Sequence, residues 1–182
     1  VSKDAASMIL QDDNFATIVN AIEIGRTVYS NIKKSITYLL AGNLAAIIAI
    51  VFAVVMNWEN PFTTLQLLFI NLINDSLPAI ALAFESAEPD TMNKPPRDIN
   101  EGILQGGTSA VILIRGIIIS IAVIFSQYLG NKVSPVLGAA MAFSTITLSR
   151  IFQTLPARSD NVSIFKIGVV KNKHVLGAIF IC

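Results

Sequence analysis

Apolar positions Phe15, Ile18, Ile22, Val28 and Ile32 recur at helical spacing among polar residues, and Asn14 stands just before them as an N-cap candidate. This pattern predicts an amphipathic helix over residues 15–34. Lys33 and Lys34 then border a charge-free run, residues 35–56. That run can span a bilayer, for which about 20 apolar residues suffice. We read the two as one continuous helix passing from water into the membrane, although Gly25 and Gly42 each cost roughly 1 kcal/mol relative to alanine. Residues 57–61, NWENP, predict a tight turn with Trp58 as an interfacial anchor. A second span follows over 62–84, and the proline-rich segment 85–107 reads as a polar loop. Residues 109–129 and 134–155 make a third and a fourth span, turned at 130–132. A polar, basic connection follows, and a further span opens at 173–182 and is incomplete. The pattern predicts an all-α membrane protein, a transmembrane helix bundle with one helix extending into water.

The second span departs from this apolar plan. Its core, LLFINLINDSLPAIALAF over 67–84, is interrupted by Asn71, Asn74, Asp75 and Pro78. On a regular helix, residues three and four apart share a face, so Asn71, Asn74 and Asp75 are expected to point the same way. Two amide oxygens and a carboxylate are hard donors suited to a cation such as calcium. A carboxylate at membrane depth costs about 2.5–3.5 kcal/mol and reads as functional by default. Pro78 has no N–H, so the carbonyl of Asn74 loses its helical partner. At that depth protein, water or an ion must satisfy it. The competing reading is a proline-kinked helix whose polar residues bond to neighbouring helices.

Composition agrees with a polytopic membrane chain: 53% of residues are hydrophobic and the formal net charge is +1, with a mean hydropathy of +0.65. Nothing in the charge pattern suggests nucleic acid. A single cysteine, Cys182, excludes an intrachain disulfide and a cysteine-built metal site. Neither a GxxxxGK[ST] loop nor GxGxxG is present, so no nucleotide site is expected within these residues. The absence of an initiator methionine, and an end inside an apolar run, suggest a piece of a longer protein. With the spans as drawn, Lys3, Arg26, Lys33, Lys34, Lys94, Arg97, Arg158, Lys166, Lys171 and Lys173 fall on one side and only Lys132 on the other. The positive-inside rule then makes the N-terminal segment and the long loops cytoplasmic.

Other polar positions within the spans are open. Asn43 suits either a cation or an interhelical hydrogen bond, and Ala46, on the same face, donates nothing. Arg150 lies deep in the fourth span and needs an anion, carbonyls or water. Asp75 is the one acidic residue clearly within a span. A lasting Arg150–Asp75 pair would compete with a cation; alternatively, Arg150 fills a neighbouring space and repels a second cation there. Arg115 is expected to snorkel, His174 to be interfacial, and Ser144, Thr145, Thr147 and Ser149 to back-bond to helical carbonyls.

DDNFATIV, GRTVYSNIKKSITYLLAGN, LQLLFINLINDSLPAIALAFE and EPDTMNKPPR occur in this order. Together they resemble the C-terminal third of type II P-type ATPases, specifically the calcium pumps. The resemblance implies that residues 1–14 are the C-terminal edge of the phosphorylation domain. It also implies that 15–34 form a cytoplasmic stalk, and that 35–182 are the fifth to the start of the ninth transmembrane helix. The family's DKTGT, TGES and GDGxND motifs and its fourth-helix PEGL are not in these residues. ATP and Mg2+ are therefore expected to bind outside them. The transported Ca2+ would meet Asn71 and Asp75 at one site. The second site of two-calcium reticulum pumps maps to Asn43, Ala46, Asn74, Asp75 and Arg150, with alanine and arginine where those pumps have glutamates. A guanidinium stays charged at any accessible pH, so that second site is not expected to hold a cation. The alanine is similar to plasma-membrane-type pumps, which move one calcium per ATP, and the arginine resembles bacterial members. A bacterial cell membrane is the implied setting, with the bilayer and the rest of the same pump as partners.

One calcium leaving Asp75 and a fourth-helix glutamate would leave two carboxylates repelling each other, so proton counter-transport is the expected exchange. Residues 85–100 are expected to contact the phosphorylation domain. The alternatives are a P-type pump for Mn2+, Na+ or K+, a passive channel with Asp75 as its selectivity group, and a scaffold whose polar residues merely join helices.

Overall fold

The structure is a computed structural model that describes Ile9, residues 14–93, 95–96, 102–105, 107–159, Gly168 and residues 172–182. The expected edge of a phosphorylation domain (1–14) and the end of the 85–100 loop lie mostly outside the described residues. Asn14 caps the first helix as its sequence position predicts, its Oδ1 accepting from the Ala16 N–H at 3.0 Å. Helix α1 then runs unbroken over Phe15–Val55. It stops where Asn57 takes a positive φ of 56°, a left-handed conformation that asparagine tolerates at helix ends.

Thr63 and Gln66 form a reciprocal capping box at the start of α2, Thr64–Phe69. A π-helical turn, Ile70–Asn74, separates it from α3, Ser76–Ala83. Helix α4, Thr108–Asn131, begins at Gly107, whose φ of 87° suits glycine. Ser134 caps α5, Pro135–Thr154, with proline in the first turn where no N–H is needed. A 3₁₀ turn, Pro156–Arg158, ends it, and α6, Lys173–Ile181, is capped by Asn172.

The long helices meet through small residues. Ala41, Ala45, Ala49 and Ala53 are fully buried and fall at four-residue intervals along α1, a ridge that lets α4 approach closely. A Cβ added at Gly116 of α4 would lie 3.1 Å from the Ala41 carbonyl oxygen. At the turn between α4 and α5, one added at Gly130 would lie 2.6 Å from the Cα of Gly138. One apolar cluster joins Ala45, Ala49, Phe62, Ile70, Ile119, Val123, Ala142 and Ile146, and a second joins Tyr38, Ala79, Leu82, Ala157 and Val175. The opposite surface of α4 is also apolar, with Ile114, Ile118, Ile121 and Phe125 mostly exposed, as a lipid-facing or partner-facing surface requires.

Four helices, Phe15–Val55, Thr64–Ala83, Thr108–Asn131 and Pro135–Thr154, are long and apolar enough to cross a membrane. Trp58 stacks on Tyr128 and meets Phe52 edge-on. Lys132 lies 4.7 Å from the centre of the Tyr128 ring. These contacts build an aromatic, basic belt at one end of the bundle. The spans match the sequence pattern, except that the second is broken by the π turn.

Candidate ion-binding site

The break follows from Pro78. Without its N–H, the Asn74 carbonyl has no donor four residues on, and the ladder slips by one residue. The Asp75 N–H donates to Ile70 O, five residues back, at 2.8 Å. Side chains take up the freed carbonyls: Ser76 Oγ donates to Asn71 O at 3.0 Å, and the Tyr38 hydroxyl on α1 donates to Asn74 O at 3.3 Å. The regular ladder resumes where Ala79 N–H donates to Asp75 O at 3.1 Å.

The slip corrects the expectation that three donors share one face. The wider π turn carries Asn71 outward, where it is exposed and its Nδ2 donates to Leu67 O at 2.9 Å. Asn74 and Asp75 turn inward and are 0% and 1% exposed. Asn43 is exposed on α1, and Ala46 packs against the first apolar cluster. The structure therefore buries Asn74 and Asp75 and does not join Asn43 or Asn71 to them. Among the described residues no group of three His, Cys, Asp or Glu side chains is placed to hold a metal.

Arg150 reaches Asp75 from α5. Its Nε donates to Asp75 Oδ1 at 2.7 Å, its Nη2 meets Oδ2, and the guanidinium is fully buried. Its Nη1 donates to Tyr38 O at 3.0 Å, and its Cζ lies 4.7 Å from the centre of the Tyr38 ring. Of the two sequence readings of Arg150, the structure adopts the ion pair. Gly42 makes room for it. The Tyr38 carbonyl, one turn before Gly42, accepts the guanidinium Nη1, which passes through the space that a Cβ at Gly42 would fill.

A Cβ at Gly42 would fall on the guanidinium itself. Gly42→Ala is therefore expected to displace Arg150 and to destabilise the full-length protein by about 1–3 kcal/mol, the usual cost of overpacking. Gly25→Ala is the control: a Cβ added there would meet nothing within 4 Å, and helix propensity favours alanine at that position. Thermal unfolding of the two variants in detergent should separate them, and equal midpoints would refute the steric role of Gly42.

Asn74 carries a further signature. Its carboxamide is fully buried, and neither Oδ1 nor Nδ2 has a hydrogen-bond partner among the described residues. Leaving such a group unsatisfied costs about 1–3 kcal/mol.

Toward the opposite end, where Lys33 and Lys34 lie, α1 grips α3 by its backbone. Ser35 Oγ donates to Ala79 O at 2.9 Å, and Asn31 Nδ2 donates to Ala83 O and Glu85 O at 3.2 and 2.6 Å. Lys34 pairs with Glu88 at 2.8 Å, and Arg26 Nη1 donates to Thr91 O at 3.0 Å. Glu85 binds Arg158 through both carboxylate oxygens and also accepts from Asn172. Burial works to raise the Glu85 carboxyl, but the hydrogen bonds from Arg158 and Asn172 prevail and hold it below its usual range. Sequence reasoning missed Tyr38, Gly42, Glu85 and Arg158 as parts of these networks. The available signals were a glycine one turn after a tyrosine within a span, and an acid directly after the broken helix. Of the expected back-bonding residues, Ser144 and Thr147 donate to Ala140 O and Phe143 O, whereas Thr145 donates across to Ser126.

The chain matches the family described as cation transporting ATPase, C-terminus, over residues 59–182. It is 60% identical along its whole length to a calcium-transporting ATPase of Listeria monocytogenes and 63% identical to calcium-transporting ATPase 1 of Lactococcus lactis. A more distant relative, the calcium-transporting ATPase type 2C member 1 of Mus musculus, is 38% identical over 98% of the chain. The chain spans about a fifth of the length of these relatives (21% of each bacterial protein and 20% of the mouse protein). An intramembrane carboxylate at a broken, proline-containing helix, carried by a bundle of apolar helices, thus coincides with a family match over most of the sequence: the chain belongs to the cation-transporting ATPases and is a C-terminal, membrane-embedded part of one.

Proposed function

We propose that this chain is the cation-binding membrane segment of an ATP-driven calcium pump, which exports one calcium ion per ATP from the cytoplasm in exchange for protons. The observation that carries the reading is the Asp75 carboxylate at the broken helix, charge-paired with Arg150 beside an Asn74 amide that has no partner among the described residues. In the ion-free form Arg150 neutralises Asp75. Calcium takes the carboxylate when the guanidinium withdraws onto the Tyr38 carbonyl and ring, which it already touches. Asp75 supplies charge and the buried Asn74 an amide oxygen, together with groups elsewhere in the longer protein. Because arginine keeps its charge, it stays a fixed cation beside the one carboxylate, which leaves too little negative charge here for a second ion and limits the site to one. The fixed positive charge also reduces the number of protons needed on the return step. Phosphorylation and nucleotide binding belong to the rest of the protein, where Mg2+ and ATP act. The end bearing Lys33, Lys34 and Arg158 faces the cytoplasm, with 15–34 as a stalk.

The test is calcium uptake and ATP hydrolysis by the full-length protein in proteoliposomes. One calcium per ATP, with opposite proton flow, is expected. Two per ATP would overturn the role given to Ala46 and Arg150, and stimulation by Mn2+, Na+ or K+ but not calcium would move the protein to another branch. Ion flow without ATP would make it a channel.

A further inference from the structure

Ten residues past Asp75 and eight past Arg150, the same two chain segments meet again through a second carboxylate and a second arginine. Arg158 Nε and Nη2 donate to Glu85 Oε2 and Oε1 at 2.9 and 2.8 Å, with side chains 0% and 7% exposed. Asn172, at the start of α6, adds a third donor to Oε2 at 2.7 Å, and Asn31 of α1 holds the Glu85 backbone carbonyl at 2.6 Å. The last turn of α5 and the 3₁₀ turn that follows it separate the two arginines. The pairs differ in support. Both carboxylates are forked by a guanidinium, but the outer one is bonded again by asparagine, and its backbone is tied to α1.

We propose that Glu85, Arg158 and Asn172 form a fixed clamp that positions Arg150 over Asp75, so that the inner pair opens for a cation and closes again without the two helices losing register. This rests on the calcium-site reading above. A forked arginine–carboxylate pair fixes orientation as well as separation, and Glu85 accepts too many donors to release them when Asp75 changes partner. Glu85, Arg158 and Asn172 are positioning residues: none touches the ion.

The experiment uses full-length protein in proteoliposomes, with Arg158→Met, Arg158→Lys and the paired replacement Glu85→Leu with Arg158→Met. The paired variant removes both charges together and so leaves neither one buried and unpaired. Per folded molecule, it is expected to need about fivefold or more additional calcium for half-maximal uptake, the low end of typical coupling between sites. Arg158→Lys keeps the charge without the fork and should fall between wild type and Arg158→Met. A clamp that is merely structural would lower the unfolding temperature and leave the calcium dependence unchanged, which would overturn the proposal. If the wild type moves no calcium, the calcium reading falls instead. The clamp is then judged by a double-mutant cycle on thermal unfolding between Arg150→Met and the paired variant. Non-additive effects support it, and additive effects refute it.

Discussion

Asp75→Asn in the full-length protein is expected to abolish calcium uptake and to lower stability at the same time, for separable reasons. The amide keeps the shape of the side chain but loses the charge that attracts a divalent ion. It also leaves the Arg150 guanidinium fully buried without its anion. Removing one partner of a buried pair costs about 3–5 kcal/mol, partly offset here by the Tyr38 carbonyl and ring that still hold the guanidinium. Adding Arg150→Met to Asp75→Asn removes the orphaned charge, so the double variant should regain most of the lost thermal stability and still transport nothing. Uptake and unfolding temperature measured on the same preparations separate the two effects. Retained uptake in Asp75→Asn would remove this carboxylate from the ion path. A double variant no more stable than the single one would show that the buried pair is not what Asp75→Asn breaks.

Arg150→Met alone is expected to change how strongly calcium stabilises the protein. In the wild type the ion must displace a guanidinium that is hydrogen-bonded to Asp75 at 2.7 Å. In the variant Asp75 is an unpaired carboxylate within the bundle, so the ion-free form is weakened by several kcal/mol, roughly the cost of a broken buried pair. Calcium then has no competitor. Because a ligand at 100 times its Kd stabilises by about 2.7 kcal/mol, tighter binding at fixed calcium appears directly as a larger rise in unfolding temperature. The calcium-induced rise should exceed that of the wild type, with magnesium as the control ion. An equal or smaller rise would show that Arg150 does not compete for Asp75, and the guanidinium would then be a structural filler between α1, α3 and α5.

Much of this protein is written locally. The alternation of apolar runs and turns determined the number, length and order of the helices, because a bilayer-spanning helix must satisfy its own backbone and bury roughly one length of apolar residues. Asn14, Ser134 and Asn172 mark helix starts by a side chain that bonds the first free N–H groups, a rule that needs no tertiary information. Pro78 likewise marked the place where the second span could not remain regular. The direction of its polar residues was another matter. Placing Asn71 with Asp75 assumed a regular helical repeat, and the π turn added a residue that sent Asn71 to the surface. Whether a freed carbonyl bends the helix or widens one turn depends on what lies beside it, here a tyrosine hydroxyl from a residue 36 positions earlier. The choice between Arg150 as partner of Asp75 and Arg150 as neighbour was also closed to the sequence, since the two lie 75 residues apart. Gly42 opened the space, and the approach of α3 and α5 to α1 aimed the guanidinium through it. Sequence determined which groups cannot be left alone in an apolar medium; tertiary structure decided which of them satisfy one another, because those partnerships depend on distances between helices that no local pattern encodes.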